Sequence, residues 1–201
     1  MYDVYLSTKN LTPIIIIVEN TKTGKYAGIM SGFIVRTFKF LPKSVSSILV
    51  INGGPIFDNS KTLEFLLINY CKKYNNTVVY SEIRNFNDYT NYNDIFLNNG
   101  FRYIKWSNID LTIGEKEFFS KLINSKKRQI KKSIKNGLEI QTSVTLEELR
   151  SFYRILSSYY KNIIKKPLPS WEFFKNLYNF LYPKDLLKIF IVKKTENVWM
   201  T

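Results

Sequence analysis

Histidine is missing from this 201-residue chain altogether, and cysteine occurs once. The first absence excludes Ser-His-Asp and Cys-His catalysis, histidine metal sites and the His-Glu-x-x-His hydrolases. A single thiol, Cys71, allows neither an internal disulfide nor a cysteine-based zinc site, so a reducing, cytoplasmic compartment is expected. Cys71 sits at helical spacing within an apolar pattern from Leu63 to Lys73, the setting of a core thiol and not of a nucleophile. Long apolar runs are also missing. Residues 13–18, Pro-Ile-Ile-Ile-Ile-Val, are far too few to span a bilayer and follow no basic n-region, which predicts a soluble chain without a signal peptide.

Acidic residues are few: 16 against 30 lysines and arginines, a net charge of +14. Such a balance points to an anionic partner, whether nucleic acid, a membrane face or a phosphorylated substrate, without choosing among them. The abundance of Lys, Asn, Ile, Tyr and Phe, all residues of A/T-rich codons, accounts for part of the basicity. The chain is 45% hydrophobic, enough for a real core in one ordinary domain or one and a half small ones.

Along the chain, strand and helix signals alternate. Residues 14–18 and 26–35 read as a hairpin around the turn Asn20-Thr21-Lys22-Thr23-Gly24, and 48–51 as a third strand stopped by Asn52-Gly53-Gly54-Pro55. Ser60 can cap a helix to about Tyr74, followed by a buried strand over 77–84, a helix over 92–98 and a strand over 101–106. Capping boxes at Thr112-Ile113-Gly114-Glu115 and Thr145-Leu146-Glu147-Glu148 open later helices, and Ser170 can cap a helix from Trp171 to Leu181. Strands are expected over 138–144 and 186–193. This is an α/β pattern.

The densest feature is the segment from Lys126 to Gly137, which puts six cations and two isoleucines on one helix. Lys127, Lys131 and Lys135 share a face, Ile123, Ile130 and Ile134 are expected to pack inward on another, and Asn136-Gly137 fits a left-handed C-cap. Taken alone, the run also fits a solvated surface helix.

Its surroundings add a resemblance. A strand ending in Arg84, then Asn99-Gly100-Phe101, then Arg128-Gln129-Ile130-Lys131-Lys132-Ser133-Ile134-Lys135-Asn136-Gly137 and a following strand matches, in order, a pattern of the Fem aminoacyl transferases and Fem-like N-acyltransferases. The helix fits their R-x-x-I-[RK]-[RK]-[AS]-x-[KR]-x-G motif position by position. The resemblance implies an N-acetyltransferase-like (acyl-CoA N-acyltransferase) mixed sheet flanked by helices, with the start of a second similar domain. It also implies amide formation on an amino group of a nucleotide- or lipid-linked peptidoglycan precursor. The candidate substrate contacts, read from the residues themselves, are Arg84 and the helix cations Arg128, Lys131, Lys132 and Lys135, the latter for the phosphates of such a precursor, of tRNA or of a lipid surface. Ile16-Ile17-Val18-Glu19-Asn20-Thr21 and Phe190-Ile191-Val192-Lys193-Lys194-Thr195 look like one unit repeated. The domains expected are 1–110, lacking the usual first helix; a basic connector over 111–144; and 145–201 as the opening of the second domain. A chain that stops there should bind ligand without turning it over.

Acyl transfer needs no histidine, but it needs a path for the amine proton and an oxyanion site. Glu82 and Asp88 are the carboxylates near the fourth strand's end, and Glu82 with Arg84, two residues apart on one strand face, makes either a structural pair or a substrate clamp. Catalytic residues are not assigned, and no metal or cofactor is expected. Asn52-Gly53-Gly54-Pro55 lacks phosphate-loop spacing, and no coenzyme A loop is evident, which favours an aminoacyl-tRNA donor with acyl-CoA as the other candidate. Partners implied are therefore the cell-wall precursor, tRNA and a peripheral membrane surface. The rival reading is a basic α/β module that grips nucleic acid through the 126–137 helix, although Gln129 is the only amide on that helix before Asn136.

Overall fold

The computed structural model describes residues 1–38, 40–105 and 118–194, and its contacts divide the chain into two units, 1–105 and 106–201. The β-branched run near the start forms the long strand β1 (Leu11–Asn20), which turns at Gly24 (φ +66°) into β2 (Lys25–Arg36). The two pair antiparallel from Leu11↔Val35 to Asn20↔Lys25, with an irregularity at Val18/Glu19. A five-residue helix, α1 (Tyr2–Leu6), precedes them where the sequence pattern placed none. After the single turn α2 (Lys43–Ser46), β3 (Ser47–Asn52) pairs antiparallel with the end of β2, while the two-residue β4 (Ile56–Phe57) pairs with its beginning. Helix α3 (Ser60–Tyr74) then crosses over to β5 (Tyr80–Arg84), which runs parallel to β3.

Alternation decides which side chains are buried. Ile14, Met30, Leu49 and Ile51 point to one face of the sheet and meet Leu63, Leu66, Leu67 and Tyr70 of α3, all inside the core. Full burial of a side chain of this size contributes roughly 1.5 to 3 kcal/mol. The helix lies close because β2 carries glycine where it passes: a Cβ on Gly28 would sit 2.7 Å from Thr62 Cγ2. On the opposite face Val50 and Phe33 pair, and the Tyr5 ring from α1 lies 4.5 Å from that of Phe33. Helices therefore flank this mixed sheet on both faces.

A 3-10 turn (Thr90–Tyr92) leads into α4 (Asn93–Asn98), ended by Gly100 at φ +83°. The expected strand over 101–106 does not form over 101–105; Phe101 packs instead into the core beside Tyr70 and Phe96. Trp106 and the 112–115 capping box lie outside the described residues.

In the second unit, α5 (Phe118–Lys121) and α6 (Asn124–Lys135) precede β6 (Leu138–Gln141). The Thr145–Glu148 capping box forms as expected and opens α7 (Leu146–Tyr159), which continues as a π-turn (Tyr160–Ile164) to Lys165 at φ +55°. Ser170 caps α8 (Trp171–Leu181), followed by a 3-10 turn containing Pro183 (Tyr182–Lys184). Tyr153 of α7 rests against Trp171 and Phe174 of α8 at 5.5 and 5.2 Å. Stacked Tyr178 and Tyr182 hold the 142–144 segment: the Tyr178 hydroxyl donates to Val144 O (2.9 Å), and that of Tyr182 accepts from Val144 N (2.9 Å). Strand β7 (Ile191–Lys194) is shorter than expected and pairs antiparallel with β6; the predicted second hairpin strand lies outside the described residues. Ile140 and Val192, opposite each other in that ladder, are both exposed.

Candidate functional site

Two places collect the residues that sequence reasoning singled out, one in each unit. In the first, the parallel strands β3 and β5 end side by side at the register pair Asn52↔Arg84. Here the segments that follow the two strands pack tightly against each other. Gly53 N donates to Arg84 O (2.9 Å), and Gly53 and Gly54 take φ +91° and +74°, which side chains disfavour. A Cβ on Gly54 would come within 2.3 Å of Asn85 Oδ1, a buried oxygen without a hydrogen-bond partner. Tyr89 Oη donates to Pro55 O (2.7 Å) and locks the second loop to the first. Burial pushes the Tyr5 phenol up, offset in part by its hydrogen bond with the Asn52 side chain. Asn85 and Tyr89 were not picked out by sequence reasoning; their one signal was position just after a strand that ends beside Gly-Gly.

Arg84 makes a bidentate bond to Glu82, with Nε–Oε1 2.9 Å and NH2–Oε2 3.1 Å. These hydrogen bonds hold the Glu82 carboxyl below the usual range and the guanidinium above it. Thr90 likewise lowers Asp88 through its hydroxyl and backbone N–H. Both carboxylates considered for proton handling are thus made weaker bases by their partners. Neither is suited to accept the amine proton. Cys71, donating to Asn99 O (3.5 Å), is pushed up by burial, which agrees with a core thiol.

The N-terminus of α3, a natural anion cradle, is already filled from its own chain. Asn59 accepts from Thr62 N (3.0 Å), and Asp58 Oδ1 accepts from Thr62 Oγ1 (2.6 Å) and Asn59 Nδ2 (2.8 Å). A carboxylate there repels a phosphate.

The second place is α6. Arg128, Lys131, Lys132 and Lys135 are brought together on it and are exposed, while Lys127 is half-buried and donates to Ser120 O (2.8 Å). The helix ends as predicted on Gly137 at φ +72°, whose N donates to Ile134 O (2.9 Å). The expected inward packing of its isoleucines is not found: Ile123, Ile130 and Ile134 are 67%, 37% and 66% exposed. No described element of this unit lies across that stripe to cover it. Arg84 belongs to the other unit. Among the described residues no group of histidine, cysteine and acidic side chains could hold a metal ion.

Antiparallel β1, β2 and β3, continued through the α3 crossover by parallel β5 and flanked by helices, define an acyl-CoA N-acyltransferase-like fold. The crystal structure of FemX superposes on 96% of this chain with a TM-score of 0.65 at 15% identity. This chain spans about half of that protein's length, 51%. A probable acetyltransferase overlaps 52% of the chain at 14% identity with a TM-score of 0.38, too low to bear on the argument. No protein-family model matches the sequence, and no curated protein matches it either.

Proposed function

We propose that the chain is part of a Fem-like N-acyltransferase that forms an amide on an amino group of a peptidoglycan precursor. The observation that carries the proposal is the FemX-like fold running through 96% of the residues. In this reading residues 1–110 are one N-acyltransferase-like domain, 111–144 the basic connector and 145–201 the opening of a second domain.

The amine of the acceptor attacks the activated acyl carbonyl, the tetrahedral oxyanion collapses, and the bond to the donor's ribose oxygen breaks, that oxygen leaving as a hydroxyl with the proton given up by the amine. The proton acceptor is not assigned to Glu82 or Asp88, for the reason given above. An aminoacyl-tRNA donor is preferred to acyl-CoA because Asp58 and Asn59 occupy the helix end where a pyrophosphate would otherwise be held. Arg128, Lys131, Lys132 and Lys135 supply cations for the phosphates of the precursor. Arg84, in the first unit, can contact substrate only by releasing Glu82.

Titration of the 201-residue chain with a uridine-diphosphate-linked muropeptide tests the binding half. Changing the four α6 cations to Gln should weaken binding by about 10-fold or more; unchanged affinity would return the helix to a solvated surface. Incubation with aminoacyl-tRNA and a lysine-containing precursor tests the chemical half. Binding without turnover is expected of this chain, and steady amide formation above background would place a complete catalytic site within it.

A further inference from the structure

We propose that α6 docks the chain onto an anionic lipid bilayer, lying in the plane of the interface. Its basis is the combination of cations and exposed isoleucines on one helix, and it holds whether or not the chain transfers acyl groups. At 100° per residue Ile130 and Ile134 point the same way, and Lys126 and Lys127 fall about 40° and 60° to either side of Ile130. Lys131, Lys135, Arg128 and Lys132 follow around the remaining surface. Among its described residues the helix carries no Asp or Glu to offset them.

This distribution discriminates between anionic partners. A phosphate backbone or a soluble nucleotide gains from the cations but gains nothing from isoleucines left in water. At a bilayer, the apolar stripe enters the acyl boundary while the flanking lysines extend along it to place their ammonium groups among the phosphates. Twelve residues make a helix of about 18 Å, well short of the hydrocarbon thickness, so it lies along the surface. Among the described residues no helix is long and apolar enough to cross a membrane. Glycine at the C-cap and the Lys127 bond to Ser120 O hold the helix in shape before docking.

The test is co-sedimentation of the 201-residue chain with vesicles of phosphatidylcholine and phosphatidylglycerol at two to one, compared with pure phosphatidylcholine. Binding to the anionic vesicles alone is expected. Each lysine at an anionic surface contributes about 5-fold, so Lys126→Gln/Lys127→Gln/Lys131→Gln, the three lysines nearest the isoleucine stripe, should weaken binding by about 100-fold. The same charge removed elsewhere, by Lys22→Gln/Lys25→Gln/Lys61→Gln, should cost less than about 10-fold. Ile130→Ser/Ile134→Ser should lose about 10-fold with all charges in place. Should that double variant fail to fold, Ile134→Trp replaces it, and its added fluorescence must be quenched by brominated lipid. Wild-type binding by the isoleucine variant, or no quenching, overturns the proposal. So does homopolymeric RNA that displaces the chain from vesicles and binds the isoleucine variant undiminished, which would make α6 a nucleic-acid contact.

Discussion

Gly54→Ala measures how tightly the two strand ends are joined. The substitution forces a Cβ into a left-handed residue, at a cost of about 1 to 2 kcal/mol, and pushes it to 2.3 Å from Asn85 Oδ1, closer than real contacts allow. Moving that side chain adds about 1 to 3 kcal/mol, giving a total of about 2 to 5 kcal/mol. Asn85→Ala removes the obstructing atom. Because the oxygen has no hydrogen-bond partner, this change by itself should be mild. In the Asn85→Ala background, Gly54→Ala should therefore retain only the backbone component of about 1 to 2 kcal/mol, a coupling of at least about 1 kcal/mol. Urea unfolding of the four chains, followed by circular dichroism, gives the cycle directly. Strict additivity would show that Gly54 and Asn85 do not meet, and the packing of the two loops would have to be redrawn.

Leu66→Ala, at a site with no exposure against β1 and β2, should cost about 2 to 5 kcal/mol; a change under 1 would mean that α3 is not the core helix. Tyr70→Phe should be neutral or stabilising by up to about 1 kcal/mol, since burial pushes the phenol up to about 12 and its oxygen makes no hydrogen bond of good geometry; a marked loss would establish one with nearby Ser81. Ile130→Ala should cost less than about 1 kcal/mol, as fits an exposed position, and a loss of several would mean the isoleucine is covered. The Lys193 ammonium and the Thr145 backbone hold Glu148 down to about 2. A depressed carboxyl contributes stability above its unfolded value of 4.5 and loses it as pH falls toward 2, so the pair's contribution to α7 should fade across that window. Glu148→Gln should flatten it; an unaltered acid profile by circular dichroism would remove the pair from the account.

Local patterns were the legible part of this molecule. The hairpin, both helix caps at Thr145 and Ser170 and the glycine end of α6 depend on neighbouring residues, and each was readable from spacing alone. The family resemblance implied a mixed sheet but not the parallel pairing of β3 with β5, because the alternation of helix and strand does not specify which strands meet. Residues 101–105 look like a strand by composition but find no ladder, and Phe101 is recruited by ring packing instead. The isoleucines of α6 follow a periodicity that usually means burial, yet periodicity reports only that one side of a helix is apolar, not what covers it. At the strand ends Arg84 was legible as Glu82's partner, whereas the Asn85 and Tyr89 contacts depend on packing between segments about thirty residues apart.

The crossover that makes β3 and β5 parallel also sets an order of events during synthesis. β1 and β2 can pair as soon as residue 36 is free, but α3, which covers Ile14 and Met30, is complete only at residue 74. At about 5 to 20 residues per second the isoleucine hairpin waits several seconds with its core face bare and β1 as an open edge. A ribosome paused between those two points would present an aggregation-prone sheet to its neighbours, and the codons spanning residues 37–74 are where a slow translation rate would do most harm.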